Sequence, residues 1–174
     1  MRRKKLAIIS AVLACAAGAA GFFVLTRGRA DRAPEAELKS APQFALHDYA
    51  GTEIKSSDFA GKPVVVISWA SWCTQLCSKE LKRVAAIKKG SGDGFSVVAI
   101  NRGEAPEIAR AYSDALGINS PAVFLLDPDD AFYKLIGGFS MPETLFISAE
   151  GRIKYHARGL QDQEELRRRI QDVM

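Results

Sequence analysis

No segment of the 174-residue sequence repeats at a period of 20–50 residues, which excludes solenoids, propellers and other repeat architectures. The body of the chain also has no excess of one charge sign. Residues 1–32 hold seven basic groups (Arg2, Arg3, Lys4, Lys5, Arg27, Arg29, Arg32) against one acid, Asp31. Residues 33–174 hold the other 17 basic and 19 acidic groups, so the formal charge of +4 belongs to the N-terminal tail. A nucleic-acid-binding domain carries a basic face; this domain is mildly acidic, and no nucleic-acid partner is expected. Polar excess is missing too. With 48% apolar and 25% charged residues, disorder and coiled-coil readings fail. Histidine is scarce, and both copies, His47 and His156, read as surface strand residues. The length suits one ordinary domain and a short appendage.

That appendage is the longest uncharged run. Residues 6–26 (LAIISAVLACAAGAAGFFVLT) carry no charge, and as a helix they extend about 31 Å, enough to cross a hydrocarbon core. Arg2 to Lys5 precede the run, so its N-terminal end is expected in the cytoplasm. The preferred reading is an uncleaved signal anchor over 1–26, because Phe22-Phe23-Val24-Leu25 continues past the small residues where a signal peptide would be cut. The alternatives are a cleaved signal peptide and a lipid-anchored Cys15, the Val12-Leu13-Ala14-Cys15 stretch loosely resembling a lipobox. All three place the domain outside the cytoplasm. Residues 27–41 read as a charged linker, and 42–174 as the domain.

Within the domain, 43–47 and 52–55 read as two strands around a turn, and 56–62 as a connector with room for one helical turn. Residues 63–70 (PVVVISWA) form a β-branched apolar run, the pattern of a strand buried on both faces. Residues 78–89 place Leu81, Val84 and Ala85 at helical spacing and end at a Gly-rich turn. Further strands are read over 95–100, 122–126, 144–147 and 153–156, the last two a hairpin joined at Glu150-Gly151. Helices are read over 104–116, 129–136 and 162–173. Strand–helix alternation implies parallel pairing, and the late hairpin adds antiparallel strands. The expected class is α/β, a mixed sheet with helices on both faces.

Cys73 and Cys77 fall where the buried strand ends and the helix begins. Unpaired backbone N–H groups and the positive end of the helix dipole favour a thiolate there. Open α/β sheets also place their sites at the carboxyl ends of strands. Trp69-Ala70-Ser71-Trp72-Cys73, then Cys77-Ser78-Lys79-Glu80, resembles the redox site of membrane-tethered, thioredoxin-fold thiol–disulfide oxidoreductases of the TlpA/ResA and cytochrome c biogenesis type. Three further stretches share the resemblance: Gly61-Lys62-Pro63 before the central strand, Asn101-Arg102-Gly103-Glu104 after the next, and Ser140-Met141-Pro142-Glu143-Thr144 before the hairpin. It covers about residues 41–170.

The resemblance implies a thioredoxin-like fold and dithiol–disulfide exchange with partner proteins that carry thiols or disulfides. It also implies an upstream membrane electron donor. No cofactor and no metal are expected. Cys73 is implied as the exposed nucleophile and Cys77 as the buried resolving thiol. Glu80 is implied to tune the pair or relay its protons; read alone, it fits a solvated helix charge equally well. Pro142 is implied to be cis and to face the disulfide, with Met141 against the cysteines and Trp72 as a wall of the site. Trp69 reads as core, and the Lys88-Lys89 and Arg167-Arg168-Arg169 runs as solvated helix faces.

The chain departs from the family at one point: three residues, Thr74-Gln75-Leu76, separate the cysteines where relatives have two, and none is proline. In a regular helix, Cβ atoms at i and i+4 lie about 5–6 Å apart, whereas a disulfide needs about 3.5–4.5 Å. The pair therefore closes only if Cys73 precedes the helix or the first turn is distorted. Strain of that kind raises the expected potential. The spacing also matches the C-x-x-x-C pair of Sco-type copper chaperones, since two thiolates suit Cu(I); the histidine of that pattern aligns with Ser140. Two weaker rivals are a thiol peroxidase and a redox-inert binding module. Thr74-Gln75-Leu76-Cys77 supplies the peroxidase's T-x-x-C, but Ala70 stands where its proline belongs.

Overall fold

The computed structural model describes residues 40–118 and 122–174. The anchor read over 1–26 and the linker up to residue 39 lie outside them. Among the described residues, no helix is long and apolar enough to cross a membrane.

Seven strands form one mixed sheet: β1 (Ala45–Asp48), β2 (Glu53–Lys55), β3 (Val64–Trp69), β4 (Ser96–Arg102), β5 (Val123–Asp127), β6 (Glu143–Ile147) and β7 (Ile153–Arg158). Their spatial order is β2-β1-β5-β4-β3-β6-β7. The β3–β4 and β4–β5 pairs are parallel, and the remaining neighbours are antiparallel. Among the described residues four α-helices accompany them, three between strands, α1 (Thr74–Ser91), α2 (Pro106–Leu116) and α3 (Ala131–Leu135), and one after β7, α4 (Gln163–Val173). The connector before β3 holds one 3₁₀ turn, Ser56–Phe59.

Every residue of β3 is buried, as its unbroken apolar run requires. Because side chains alternate across a strand, β3 feeds two cores. Val65, Ile67 and Trp69 pack with Leu81, Val84 and Ala85 of α1, Ala109 of α2 and Leu166, Ile170 and Val173 of α4. Val64 and Val66 pack on the other side with Phe132, Tyr133 and Ile136 around α3. Gly117 closes α2 at φ 67°, ψ 30°, a left-handed cap that glycine adopts freely. Gly138 follows α3 so closely that a Cβ there would lie 2.5 Å from the Tyr133 ring.

Four readings need correction. Helix α1 starts at Thr74, not at 78: Cys77 is fully buried and opens the apolar stripe that Leu81 and Val84 continue. His156 is not on the surface but 3% exposed, held by Glu143 of the neighbouring strand. Lys88 is also buried; its Nζ donates to the Gly92 carbonyl at 2.5 Å and lies over the Phe95 ring. Arg169, unlike Arg168, is buried, lying between the rings of Phe146 and Tyr155 and pairing with Glu165.

Candidate active site

Strand β3 ends at Trp69, which with the following Ala70 is fully buried at the carboxyl edge of the sheet. The chain then makes a 3₁₀ turn over Ser71–Cys73 and enters α1 with Cys73 at its N-cap. Cys73 thus precedes the helix, and its sulfur is bonded to Cys77 (Cα–Cα 5.7 Å, S–S 2.03 Å). Cys77 is fully buried. Cys73, read as exposed, is only 8% exposed, because the 3₁₀ turn folds it onto the core cluster that holds Cys77 and Trp69. The exposed groups are its neighbours Trp72 (56%) and Leu76 (46%).

The extra residue of the loop is absorbed at Thr74. It links the 3₁₀ turn to the helix at φ 54°, ψ −127°. Its carbonyl accepts from Tyr112 Oη of α2 at 3.0 Å, and the Tyr112 ring stacks on Trp69.

A carboxylate secures the approach to the cysteines. Glu104, just before α2, accepts from the Ser71 N–H at 2.8 Å, from the Ser71 hydroxyl, and from Asn101 Nδ2 at 2.6 Å. Asn101, the penultimate residue of β4, is buried. Beside it, Arg102 forms a two-point bridge to Asp130 (2.9 and 2.6 Å). Its guanidinium lies 3.6 Å from the Tyr133 ring centroid and 5.6 Å from that of Trp72. The Arg102 hydrogen bonds hold the Asp130 carboxyl below its ordinary range.

On the opposite flank the Met141–Pro142 peptide bond is cis, and Pro142 is buried. Met141 packs against both core clusters, including the one containing the two cysteines. Glu143, fully buried, accepts from the N–H groups of Phe139 (2.7 Å) and Ser140 (2.9 Å) and bonds His156 Nε2 at 2.6 Å. Burial works against its charge, but the His156 bond and the two N–H groups outweigh it and hold the carboxyl below its ordinary range. The Gly159 N–H donates to the Pro142 carbonyl at 2.8 Å, tying the segment after β7 to this turn.

Glu80 lies three residues after Cys77, on the buried face of α1. It has no exposed surface; Thr144 Oγ1 and the Gln161 N–H each donate to it at 3.0 Å. Arg83 donates to the Gln161 carbonyl and keeps that peptide in place. Burial pushes the Glu80 carboxyl up to about 7, even though both hydrogen bonds favour the charged form. The solvated-charge alternative is therefore not what the fold shows.

Sequence reasoning singled out Cys73, Cys77, Glu80, Trp72, Met141 and Pro142, and passed over Tyr112 and the roles of Glu104, Glu143 and His156. The signal for Glu143 was a charged residue opening an otherwise apolar strand. Among the described residues, no group of three or more His, Cys, Asp or Glu side chains is placed to hold a metal ion.

A disulfide at the N-terminus of a helix, set on the central strand of a thioredoxin-like sheet, defines a class: thiol–disulfide oxidoreductases working on protein thiols and disulfides. Comparison with known proteins agrees. Residues 36–171 match the Redoxin family, and the chain belongs to it, among its ResA/TlpA-like members. It is 29% identical to the thiol-disulfide oxidoreductase ResA of Bacillus subtilis, over 87% of this chain and 84% of that one. A Chlorobium tepidum structure assigned as thiol:disulfide interchange protein DsbE superposes with TM-score 0.70 at 28% identity, covering 78% of this chain and 95% of that one. The exposed lipoprotein thioredoxin Etrx1 of Streptococcus pneumoniae superposes with TM-score 0.63 at 26% identity, over 75% and 99% of the two chains.

Proposed function

We propose that Cys73 and Cys77 are the redox pair of a membrane-anchored, extracytoplasmic oxidoreductase, and that Glu80 serves as its proton carrier. The observation that carries this reading is the closed Cys73–Cys77 bond at the start of α1, with a buried carboxyl one turn below it. In the reducing direction, the Cys73 thiolate attacks a partner disulfide; one partner sulfur leaves as thiolate and a mixed disulfide forms. The Cys77 thiolate then attacks Cys73 Sγ and expels the second partner thiolate. Two electrons pass to the partner, and the internal disulfide is restored. Cys77 must lose its proton to attack, and Glu80, titrating near 7, is matched to accept it at neutral pH.

Pro142 has no N–H to donate, which leaves the backbone beside it open to an extended substrate segment. Trp72 and Met141 supply apolar contact on the two flanks. The uncharged run over 6–26, preceded by four cations, supports a signal anchor that holds the domain on the outer side of the membrane. A disulfide persists in that compartment, and the exposed lipoprotein among the similar structures fits it. The substrate class is an extracytoplasmic protein with a reducible cysteine pair, as in cytochrome c maturation, and an upstream membrane dithiol returns the electrons.

The test is trapping. Cys77→Ser, reduced and exposed to membrane-fraction proteins under mild oxidation, should accumulate mixed disulfides on Cys73 that mass spectrometry identifies. The same adducts in Cys73→Ser, or none in either variant, would refute the assignment.

A further inference from the structure

The geometry points to Thr74 and Tyr112 as the residues that set the redox poise of the Cys73–Cys77 pair, by holding backbone strain that the closed disulfide imposes. This inference rests on the redox reading above and extends it.

At φ 54°, ψ −127°, Thr74 occupies the conformation of the first central residue of a type II′ turn, which glycine adopts without cost. For a β-branched residue a positive φ is a genuine outlier. The chain provides its own comparison. At the other end of α1, Gly92 stands at φ 54°, ψ −128°, with the residue type those angles call for. Among the described residues only two others than glycine have positive φ, and the second, Asp130, lies in the ordinary left-handed region at φ 56°, ψ 25°.

The side chain of Thr74 is exposed, so packing around it does not force these angles. The disulfide does. A helix started at Cys73 would leave the two Cβ atoms too far apart to bridge. The backbone must therefore turn between Cys73 and the helix, and Thr74 is the residue at which it turns. Tyr112 steadies the result: its hydroxyl donates to the Thr74 carbonyl at 3.0 Å, and its ring is fixed against Trp69.

When the disulfide takes up two electrons and two protons, the sulfurs part and the constraint on Thr74 ends. Strain confined to the oxidised form makes that form easier to reduce. The penalty of holding a residue with a Cβ in so sparsely populated a backbone region is worth on the order of tenfold in an equilibrium constant.

The experiment is equilibration of the purified full-length protein, in detergent, with dithiothreitol redox buffers, the thiol state being read by alkylation and mass. Thr74→Gly should lower the midpoint potential by about 30 mV, the equivalent of a tenfold change for a two-electron couple. Thr74→Ala keeps the Cβ and should stay near the wild type. Tyr112→Phe should move the other way, raising the potential severalfold in the exchange constant, because the oxidised loop loses its brace. A Thr74→Gly potential equal to or above that of the wild type overturns the proposal, because the strain is then shared by both redox forms or offset by loop freedom. A Tyr112→Phe potential equal to the wild type removes Tyr112 from it. A wild type showing no two-electron transition defeats the redox reading itself, a result distinguishable from either.

Discussion

Replacing Glu80 with glutamine tests the buried carboxyl directly. Native Glu80 keeps its proton up to about pH 7, whereas in the unfolded chain it loses that proton near the ordinary 4.5. Between those values the native state binds more protons than the unfolded state, so stability falls as pH rises through the window and levels off above it. At about 1.4 kcal/mol per pH unit, the span amounts to about 3 kcal/mol, an upper figure because burial relaxes when the group ionises. Glutamine has nearly the same shape and retains one acceptor for Thr144 or Gln161, but it does not titrate. The assay is urea unfolding of the oxidised wild type and Glu80→Gln at half-unit steps from pH 4.5 to 8. The stability difference, wild type minus variant, should decline by up to about 3 kcal/mol across the window and be flat above it. Glu143 titrates in the opposite sense, contributing stability that is lost as pH falls, but it is present in both proteins and cancels. A difference that does not vary with pH would refute the claim that burial holds this carboxyl neutral.

Two further outcomes test the flanks of the site. Glu104→Ala leaves the Ser71 N–H and the buried Asn101 amide without their acceptor; it should cost about 2–3 kcal/mol in urea unfolding, and a loss below about 0.5 kcal/mol would show that solvent replaces it. Glu143→Ala strips the acceptor from the Phe139 and Ser140 N–H groups and from His156; about 3–5 kcal/mol should be lost, with Glu143→Gln milder. Equal losses for Ala and Gln would show that the charge, not the shape of the acceptor, holds the cis-proline turn.

The sheet was legible because its signal is local. An apolar run such as 64–69 can only be buried, and glycines mark where its neighbours stop. The position of the cysteines at the strand–helix junction followed from the same pattern. What escaped was every polar residue whose fate depends on a distant partner. Nothing near His156 announces that Glu143, two residues off its cross-strand partner Leu145 on the neighbouring strand, will reach it, or that the bond will be buried on both sides. Glu80 stayed balanced between solvent and core because Thr144 and Gln161, 64 and 81 residues away, decide the matter. The start of α1 was missed for a different reason: Cys77 was read for its chemistry and not as the small apolar residue that opens the helix's buried stripe.

The extra loop residue joins these two kinds of information. Spacing alone says that a regular helix cannot close the bond and that the chain must depart from helical geometry near Cys73. It does not say where. The departure falls at Thr74 because α1 is committed from there on by the buried stripe of Cys77, Leu81 and Val84, while Ser71 on the other side is committed to Glu104. Between a helix that cannot unwind and a turn that is tied down, one residue is left to absorb the whole mismatch. An inserted residue in a redox loop is thus not spread over the loop as slack. The fold concentrates it at one backbone position, where a single side chain can tune how readily the bond opens.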